Sequence, residues 1–190
     1  MGRELRGATL GIVGHGHIGR RVAELARALG LRVLVADPQA RADEPGVQVV
    51  PLATLLAEAD QVVCLAPALP ETENLFDAGR FAQMKRGAVF VNPSRGNLVD
   101  EAALLAALDA GDLAGAALDV GRAPDQMPSP ELARHPRVVA TPHIAGLTPP
   151  AIEHQALETV AQLAELRQGR LPRGAVNADQ ARRLDGVRAS

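Results

Sequence analysis

The sequence predicts an α/β protein: a doubly wound parallel sheet with helices on both faces. Three observations carry this expectation. Short apolar runs alternate with helical patterns along most of the chain, as strand–crossover–strand units require. The runs are nearly continuous rather than alternating, which suits strands buried on both faces. The first run ends in a glycine-rich turn that opens a helix, Gly14-His15-Gly16-His17-Ile18-Gly19.

In chain order the predicted strands are Thr9–Val13, Arg32–Ala36, Gln61–Ala66, Ala88–Asn92, Gly115–Asp119 and Arg137–Thr141, with Val47–Val50 as a short edge strand. Between the first two lies a helix whose Ile18, Val22, Leu25 and Leu29 form one apolar stripe. Gly30 stops it. Leu52–Glu58 is a shorter helix. Asp100 is an N-cap for Glu101–Ala110, and Gly111 ends that helix. Thr148 caps a long helix that opens with Pro149 and Pro150 and runs to about Gln168. Its Ile152, Ala156, Val160 and Leu163 make one face. Right-handed crossovers place helices on both sides of the sheet. Two successive three-strand halves give the order 3-2-1-4-5-6.

Composition narrows the function classes. A 190-residue chain buries roughly 70% of its unfolded surface, enough for a core without staples. The net charge of −2 offers no broad basic field, so neither nucleic acid nor membrane is an expected partner. Cys64 is the single cysteine, which excludes an intrachain disulfide framework and a Cys-rich metal site. It reads as a small buried residue rather than a nucleophile. The apolar runs are shorter than the ~20 residues a membrane span needs, and the N-terminus lacks the apolar segment of a signal peptide. A cytoplasmic, soluble protein without a metal is the expectation.

The glycine loop has the context that gives it meaning, a strand before and a helix after. Gly14 permits the tight turn, Gly16 lets a pyrophosphate approach the backbone, and Gly19 lets helix and strand pack closely. The helix N-terminus then offers unpaired N–H groups to phosphate. His17 lies near the phosphate position and is a candidate donor, whereas His15 reads as an exposed loop residue. Asp37, at the end of the second strand, can accept hydrogen bonds from adenosine ribose hydroxyls and would repel a 2′-phosphate, favouring NAD over NADP. Arg41 lies nearby and could soften that preference.

Ligands of such sheets bind beyond the carboxyl ends of the strands. There the sequence places Asn92-Pro93-Ser94-Arg95-Gly96, Asp119, and Thr141-Pro142-His143. Each residue alone has an ordinary explanation, but a guanidinium, a carboxylate and an imidazole at one sheet edge suggest a site. Arg offers a bidentate fork to a carboxylate, and His exchanges protons near neutral pH. With a nicotinamide, the set fits interconversion of a 2-keto acid and a 2-hydroxy acid.

Five stretches, TLGIVGHGHIGRRVA, LPETENLFD, MKRGAVFVNPSRGNLVDEAALLAAL, LAGAALDV and HPRVVATPHIAG, resemble the D-isomer-specific 2-hydroxyacid dehydrogenase family, specifically its NAD-binding domain. The resemblance implies a Rossmann-type fold with NAD as cofactor. It implies that Arg95 binds the substrate carboxylate and carbonyl, that His143 is the acid/base, and that Asp119 contacts the nicotinamide amide. Gly14, Gly16, His17, Ile18, Gly19 and Asp37 would hold the rest of the dinucleotide. The loop around Pro67 and the segment from Thr141 to His143 would line the cleft. A homodimer is expected.

Two departures from the family pattern stand out. The Glu that usually follows the Asp119-type position and pairs with the catalytic His is absent from Asp119-Val120-Gly121-Arg122-Ala123-Pro124-Asp125-Gln126-Met127-Pro128. Asp125 is the nearest carboxylate and the expected partner of His143; Gln126 is the other candidate. Family members also carry part of a substrate domain before the glycine-loop strand. The expected organisation is therefore a dinucleotide-binding domain over residues 1–170 and a remnant of the substrate domain over 171–190. Such a chain would bind NAD(H) without turnover. The competing class is a non-catalytic NAD-sensing module. A SAM-dependent methyltransferase shares the glycine loop but has no use for Arg95 and His143.

Overall fold

The computed structural model describes residues 4–41, 45–172 and 175. These residues form two compact units, the first ending at His143 and the second beginning at Ile144.

The first unit is built on a seven-stranded sheet: β1 (Thr9–Val13), β2 (Arg32–Ala36), β3 (Gln48–Val49), β4 (Gln61–Cys64), β5 (Ala88–Asn92), β6 (Leu113–Leu118) and β7 (Val138–Ala140). All pairings are parallel. The order is β3-β2-β1-β4-β5-β6-β7, the expected doubly wound class with one reassignment. The Gln61 strand does not sit outside β2. The two-residue β3 takes that edge, its register fixed by Leu34 opposite Gln48 and Val35 opposite Val49. The Val50 N–H donates to Val35 O at 2.9 Å. With that edge filled, β4 crosses to the free side of β1. The reversal of winding therefore lies between β1 and β4, where such sheets open a crevice at their carboxyl edge.

Among the described residues five α-helices accompany this sheet: α1 (His17–Ala28), α2 (Leu52–Glu58), α3 (Ala78–Gln83), α4 (Glu101–Asp109) and α5 (Pro130–Arg134). Asp100 caps α4 as expected, accepting from the N–H groups of Ala102 and Ala103 at 3.0 and 3.1 Å. Helices α3 and α5, of six and five residues, are too short to show periodicity in the sequence. Their caps are nonetheless present: Asp77 accepts from Arg80 N–H and Ser129 from Leu132 N–H.

Two apolar clusters lie on opposite faces of the sheet. The larger joins Leu34, Val62 and Phe90 to Leu55, Leu56, Leu104 and Leu108 of α2 and α4. All three phenylalanines of the chain meet there. The Phe76 and Phe90 ring centroids are 4.7 Å apart, and Phe81 meets Phe90 edge-on at 5.4 Å. The smaller cluster joins Ile12, Val33, Val35 and Val63 to Ala23 and Ala26 of α1.

Helix α1 turns a different face inward from the one its large residues suggest. Gly19, Ala23 and Ala26 are buried, while Ile18 (66%), Leu25 (49%) and Leu29 (60%) are exposed. Close approach is the cause. A Cβ on Gly19 would land on the carbonyl oxygen of Gly14, so only small residues fit against the strand turn. The large row is rotated outward by one position, about 100° on a helix.

The second unit contains α6 (Pro149–Arg167). Thr148 accepts from the Ala151 N–H at 3.3 Å, with proline at the first helical position as expected. None of its residues is buried. Among the described residues, no helix is long and apolar enough to cross a membrane. Most of the expected remnant at 171–190 lies outside the described residues.

Candidate active site

The carboxyl edge of the sheet gathers the predicted residues of the first unit. After β1 the chain turns at Gly14, whose φ is +97°. A Cβ there would stand 2.6 Å from the backbone of Leu65 and Ala66, so the turn tolerates only glycine. Gly16 differs. A Cβ on it would meet nothing within 4 Å, and no side chain caps the N-terminus of α1, which begins at the next residue. The loop thus offers open space in front of an uncapped helix N-terminus, the opening a pyrophosphate requires. His17 and Ile18 are both exposed at this mouth.

Asp37 follows β2. Its Oδ2 accepts from the His15 N–H at 2.6 Å and its Oδ1 from the Gln39 N–H at 2.7 Å. These bonds orient the carboxylate and leave further lone pairs for ribose hydroxyls. His15 is 3% exposed, contrary to the expected exposed loop residue. Its backbone ties the glycine loop to the acid after β2, a link that spacing alone does not reveal.

The Pro67 loop follows β4. Pro67 is exposed, and its carbonyl accepts from Thr72 Oγ1 at 2.7 Å. Cys64, at the end of β4, is fully buried. Burial pushes its thiol up to about 12, only partly offset by a hydrogen bond from the Ala66 backbone. It is inert at neutral pH.

After β5, Asn92 is 1% exposed and organises the turn. Its Nδ2 donates to Arg95 O at 2.9 Å, and its Oδ1 accepts from Ser94 N–H at 3.1 Å. Ser94 Oγ donates to Ala66 O at 2.8 Å, joining this turn to the Pro67 loop. Arg95 is exposed, and its guanidinium donates to Ser94 O at 2.7 Å.

Asp119 lies just past β6 and is 7% exposed. Its N–H donates to Asn92 O at 3.2 Å. Its Oδ1 accepts from Thr141 Oγ1 at 2.5 Å. Thr141 follows β7 and donates its N–H to Leu118 O at 2.9 Å. His143 donates its N–H to Thr141 O at 3.0 Å and holds a left-handed backbone, φ +51°. That conformation is uncommon outside glycine, though His adopts it more readily than most. The tight turn thus places the imidazole two residues from the threonine that holds Asp119.

The structure does not join Asp125 to His143. Asp125 is exposed, and its Oδ1 accepts from the Met127 N–H at 3.0 Å. Gln126 is also exposed, with φ +61°. Both residues build the turn that closes on Gly121, whose N–H donates to Gln126 O at 2.9 Å. No hydrogen bond or ion pair runs between His143 and either of them. The sequence places Asn92 and Ser94 at this edge and Arg122 after Asp119 but gives them no role; their contribution is to hold loops rather than to present chemistry.

An open groove of about 670 Å³ lies apart from these residues, lined by Leu105, Asp109, Pro130, Arg134 and His135 among others. Its mixture of acids and bases recommends no ligand. Among the described residues no cluster of His, Cys, Asp or Glu could hold a metal ion.

Known proteins are similar to this chain in sequence and fold. Residues 1–145 match the family model for the D-isomer specific 2-hydroxyacid dehydrogenase, NAD binding domain. The chain is 41% identical over 180 residues to a D-3-phosphoglycerate dehydrogenase of Archaeoglobus fulgidus, covering 93% of this chain and 34% of the relative. It is 38% identical to the Bacillus subtilis D-3-phosphoglycerate dehydrogenase, with the same coverage. Among solved structures, the NAD-complexed D-isomer specific 2-hydroxyacid dehydrogenase of Lactobacillus delbrueckii ssp. bulgaricus superposes with a TM-score of 0.82 at 34% identity. That match covers 91% of this chain and 56% of the other. The chain spans about a third of the length of these curated relatives. Matched over the glycine loop, the Arg95 turn and the Asp119 and His143 segments, the chain belongs to the D-isomer specific 2-hydroxyacid dehydrogenase family and constitutes its NAD-binding domain.

Proposed function

We propose that this domain supplies the cofactor site and the acid/base and carboxylate-binding groups of a cytoplasmic NAD-dependent oxidoreductase that interconverts 2-hydroxy and 2-keto acids. The observation that carries this reading is the convergence of Arg95, Asp119 and His143 at the carboxyl ends of the adjacent strands β5, β6 and β7, on the edge that also bears the glycine loop.

Gly14, Gly16, His17, Ile18 and Gly19 would hold the pyrophosphate, Asp37 the adenosine ribose, and Asp119 the nicotinamide amide, with Pro67 lining the cleft. The nicotinamide, when bound, supplies or accepts the hydride. Arg95 binds the substrate carboxylate through its two-pronged fork. His143 donates a proton to the keto oxygen in reduction and takes it back in oxidation. Asp125 accepts from the Met127 N–H in its own turn and makes no bond to His143, so in this reading His143 acts without a carboxylate from the loop after Asp119. The exposed Leu25 and Leu29 support assembly as a homodimer, which sedimentation would test. The single, buried cysteine fits a reducing compartment.

Arg95 stands open to water, and a reactive site needs water excluded and the carbonyl held in line. The 190-residue chain therefore binds NAD(H) but does not turn over by itself. The test pairs an NADH titration with a steady-state assay on glyoxylate, pyruvate and hydroxypyruvate. Failure to bind NADH refutes the cofactor site. Robust turnover by a preparation of verified mass refutes the need for closure.

A further inference from the structure

Arg122 lies three residues past Asp119 and does not face the cofactor loop. Its Nε donates to Val99 O at 2.8 Å, and its Nη2 donates to Asn97 O at 2.9 Å and to Asn74 Oδ1. The same Nη2 is 2.8 Å from Glu73 Oε1, and its backbone N–H donates to Glu101 Oε1 at 2.9 Å. Apart from Glu101, which opens α4, these acceptors come from two other loops, the one leading from β4 and the one following Arg95. Further bonds weld those two loops together. Asn97 Nδ2 donates to Glu73 Oε2 at 2.9 Å, and Asn97 O also accepts from the Asn74 N–H at 2.9 Å.

Backbone contact reinforces this junction. A Cβ on Gly96, the residue after Arg95, would land on the carbonyl of Gly121, the residue before Arg122. The two loops meet without side chains between them. Arg95 is therefore held from both sides, by Asn92 on its own carbonyl and by Arg122 on the short 3-10 turn Gly96–Leu98 that follows. Among the described residues its guanidinium bonds only to the neighbouring Ser94 carbonyl, so its aim depends on where the backbone stands.

We propose that Arg122 is a positioning residue for substrate recognition, locking the turn after Arg95 so that the Arg95 fork meets the substrate carboxylate in register. This rests on the reading of Arg95 as the carboxylate anchor. The planar guanidinium is what the task needs, since it serves divergent acceptors at once, which one ammonium on a flexible stem does not. The contacts to the adenosine ribose and the pyrophosphate are independent of it. Asp37 and the glycine loop are bonded to each other, not to Arg122.

The test uses the full 190-residue chain with saturating NAD⁺. Oxalate is titrated while the Arg95 side-chain N–H is followed by NMR, with Arg95→Ala as the non-binding reference. Arg122→Ala should weaken oxalate binding about tenfold, since small misplacements of an anchoring group are costly. It should also accelerate amide exchange at Phe76 and Val99, whose N–H groups bond to Leu98 O and Gly96 O. NADH affinity should stay within twofold. Arg122→Lys should fail to restore oxalate binding. Arg122→Gln, which keeps the stem, serves if the alanine variant does not fold. Unchanged oxalate affinity, full rescue by lysine, or equal losses of NADH and oxalate binding would overturn the proposal. If oxalate leaves the Arg95 signal unmoved in the unmodified chain, Arg95 as anchor fails, and the amide exchange still decides separately whether Arg122 holds the turn.

Discussion

Two glycines of one loop should respond to the same substitution in opposite ways. Gly14 has a φ of +97°, and an added Cβ would stand 2.6 Å from the Leu65 and Ala66 backbone. Gly14→Ala therefore incurs left-handed strain of about 1–3 kcal/mol and overpacking of about 1–3 kcal/mol. At roughly 2–4 °C per kcal/mol for a chain of this size, the melting temperature should fall by about 5–20 °C. Gly16 has φ −75°, which any residue adopts, and open space at its Cβ. Gly16→Ala loses up to about 1 kcal/mol as a poorer N-cap and regains about 0.4–1 kcal/mol through a less flexible unfolded chain. Its stability should barely change. The methyl instead occupies the approach of the pyrophosphate to the α1 N-terminus. Loss of one charge-assisted hydrogen bond, about 1.5–3 kcal/mol, raises the NADH Kd by about 10- to 150-fold. The assay is thermal denaturation beside an NADH fluorescence titration, which a chain with no Trp and no Tyr leaves nearly free of background. Unimpaired NADH binding by a normally folded Gly16→Ala chain would refute the assignment of this opening to the cofactor.

Asp37→Ala should narrow the preference for NADH over NADPH, measured by parallel titrations, and should also cost stability because Asp37 accepts the His15 and Gln39 N–H groups; tighter NADPH than NADH binding by the unmodified chain would end that reading. In an intact enzyme carrying this domain, His143→Ala should slow keto-acid reduction by about 10²–10⁴, and Arg95→Lys should raise KM because it keeps the charge and loses the fork. Asp125→Asn should leave both stability and the acid limb of the pH–rate profile in place, since an amide oxygen still accepts the Met127 N–H; a limb displaced to lower pH would show that Asp125 reaches His143 during turnover. The Glu73 carboxyl is held below its usual value, 4.5, first by the Asn97 amide and then by Arg122. A depressed carboxylate pKa contributes stability that is present above the unfolded value and lost as pH falls through the folded one. Glu73→Gln should therefore lower the melting temperature slightly near pH 7, with the gap closing below about pH 4.5; a gap constant down to pH 3 would contradict this.

Much of this domain follows from the sequence alone because the relevant physics is local. Apolar runs of strand length, caps such as Asp100 and the order glycine loop, acid, arginine, imidazole can be read within short windows. Such runs placed β1, β2 and β5 at their observed bounds, and the ends of the strands placed Arg95, Asp119 and His143 on one edge. Tertiary structure decided what depends on contacts between distant segments. The pairing of β3 with β2 sent β4 across β1, an outcome no strand pattern contains because parallel partners are chosen by long-range register. Close approach of α1 at Gly19 overrode its larger apolar residues and turned them outward. Proximity in sequence made Asp125 the partner expected for His143, whereas in the fold its Oδ1 accepts from the Met127 N–H of its own turn. Arg122 reads as an ordinary loop residue until folding brings Glu73, Asn74, Asn97 and Val99 within reach of one guanidinium. Spacing along a chain specifies periodicity and order, whereas a hydrogen bond between loops exists only once the core has fixed both of its ends.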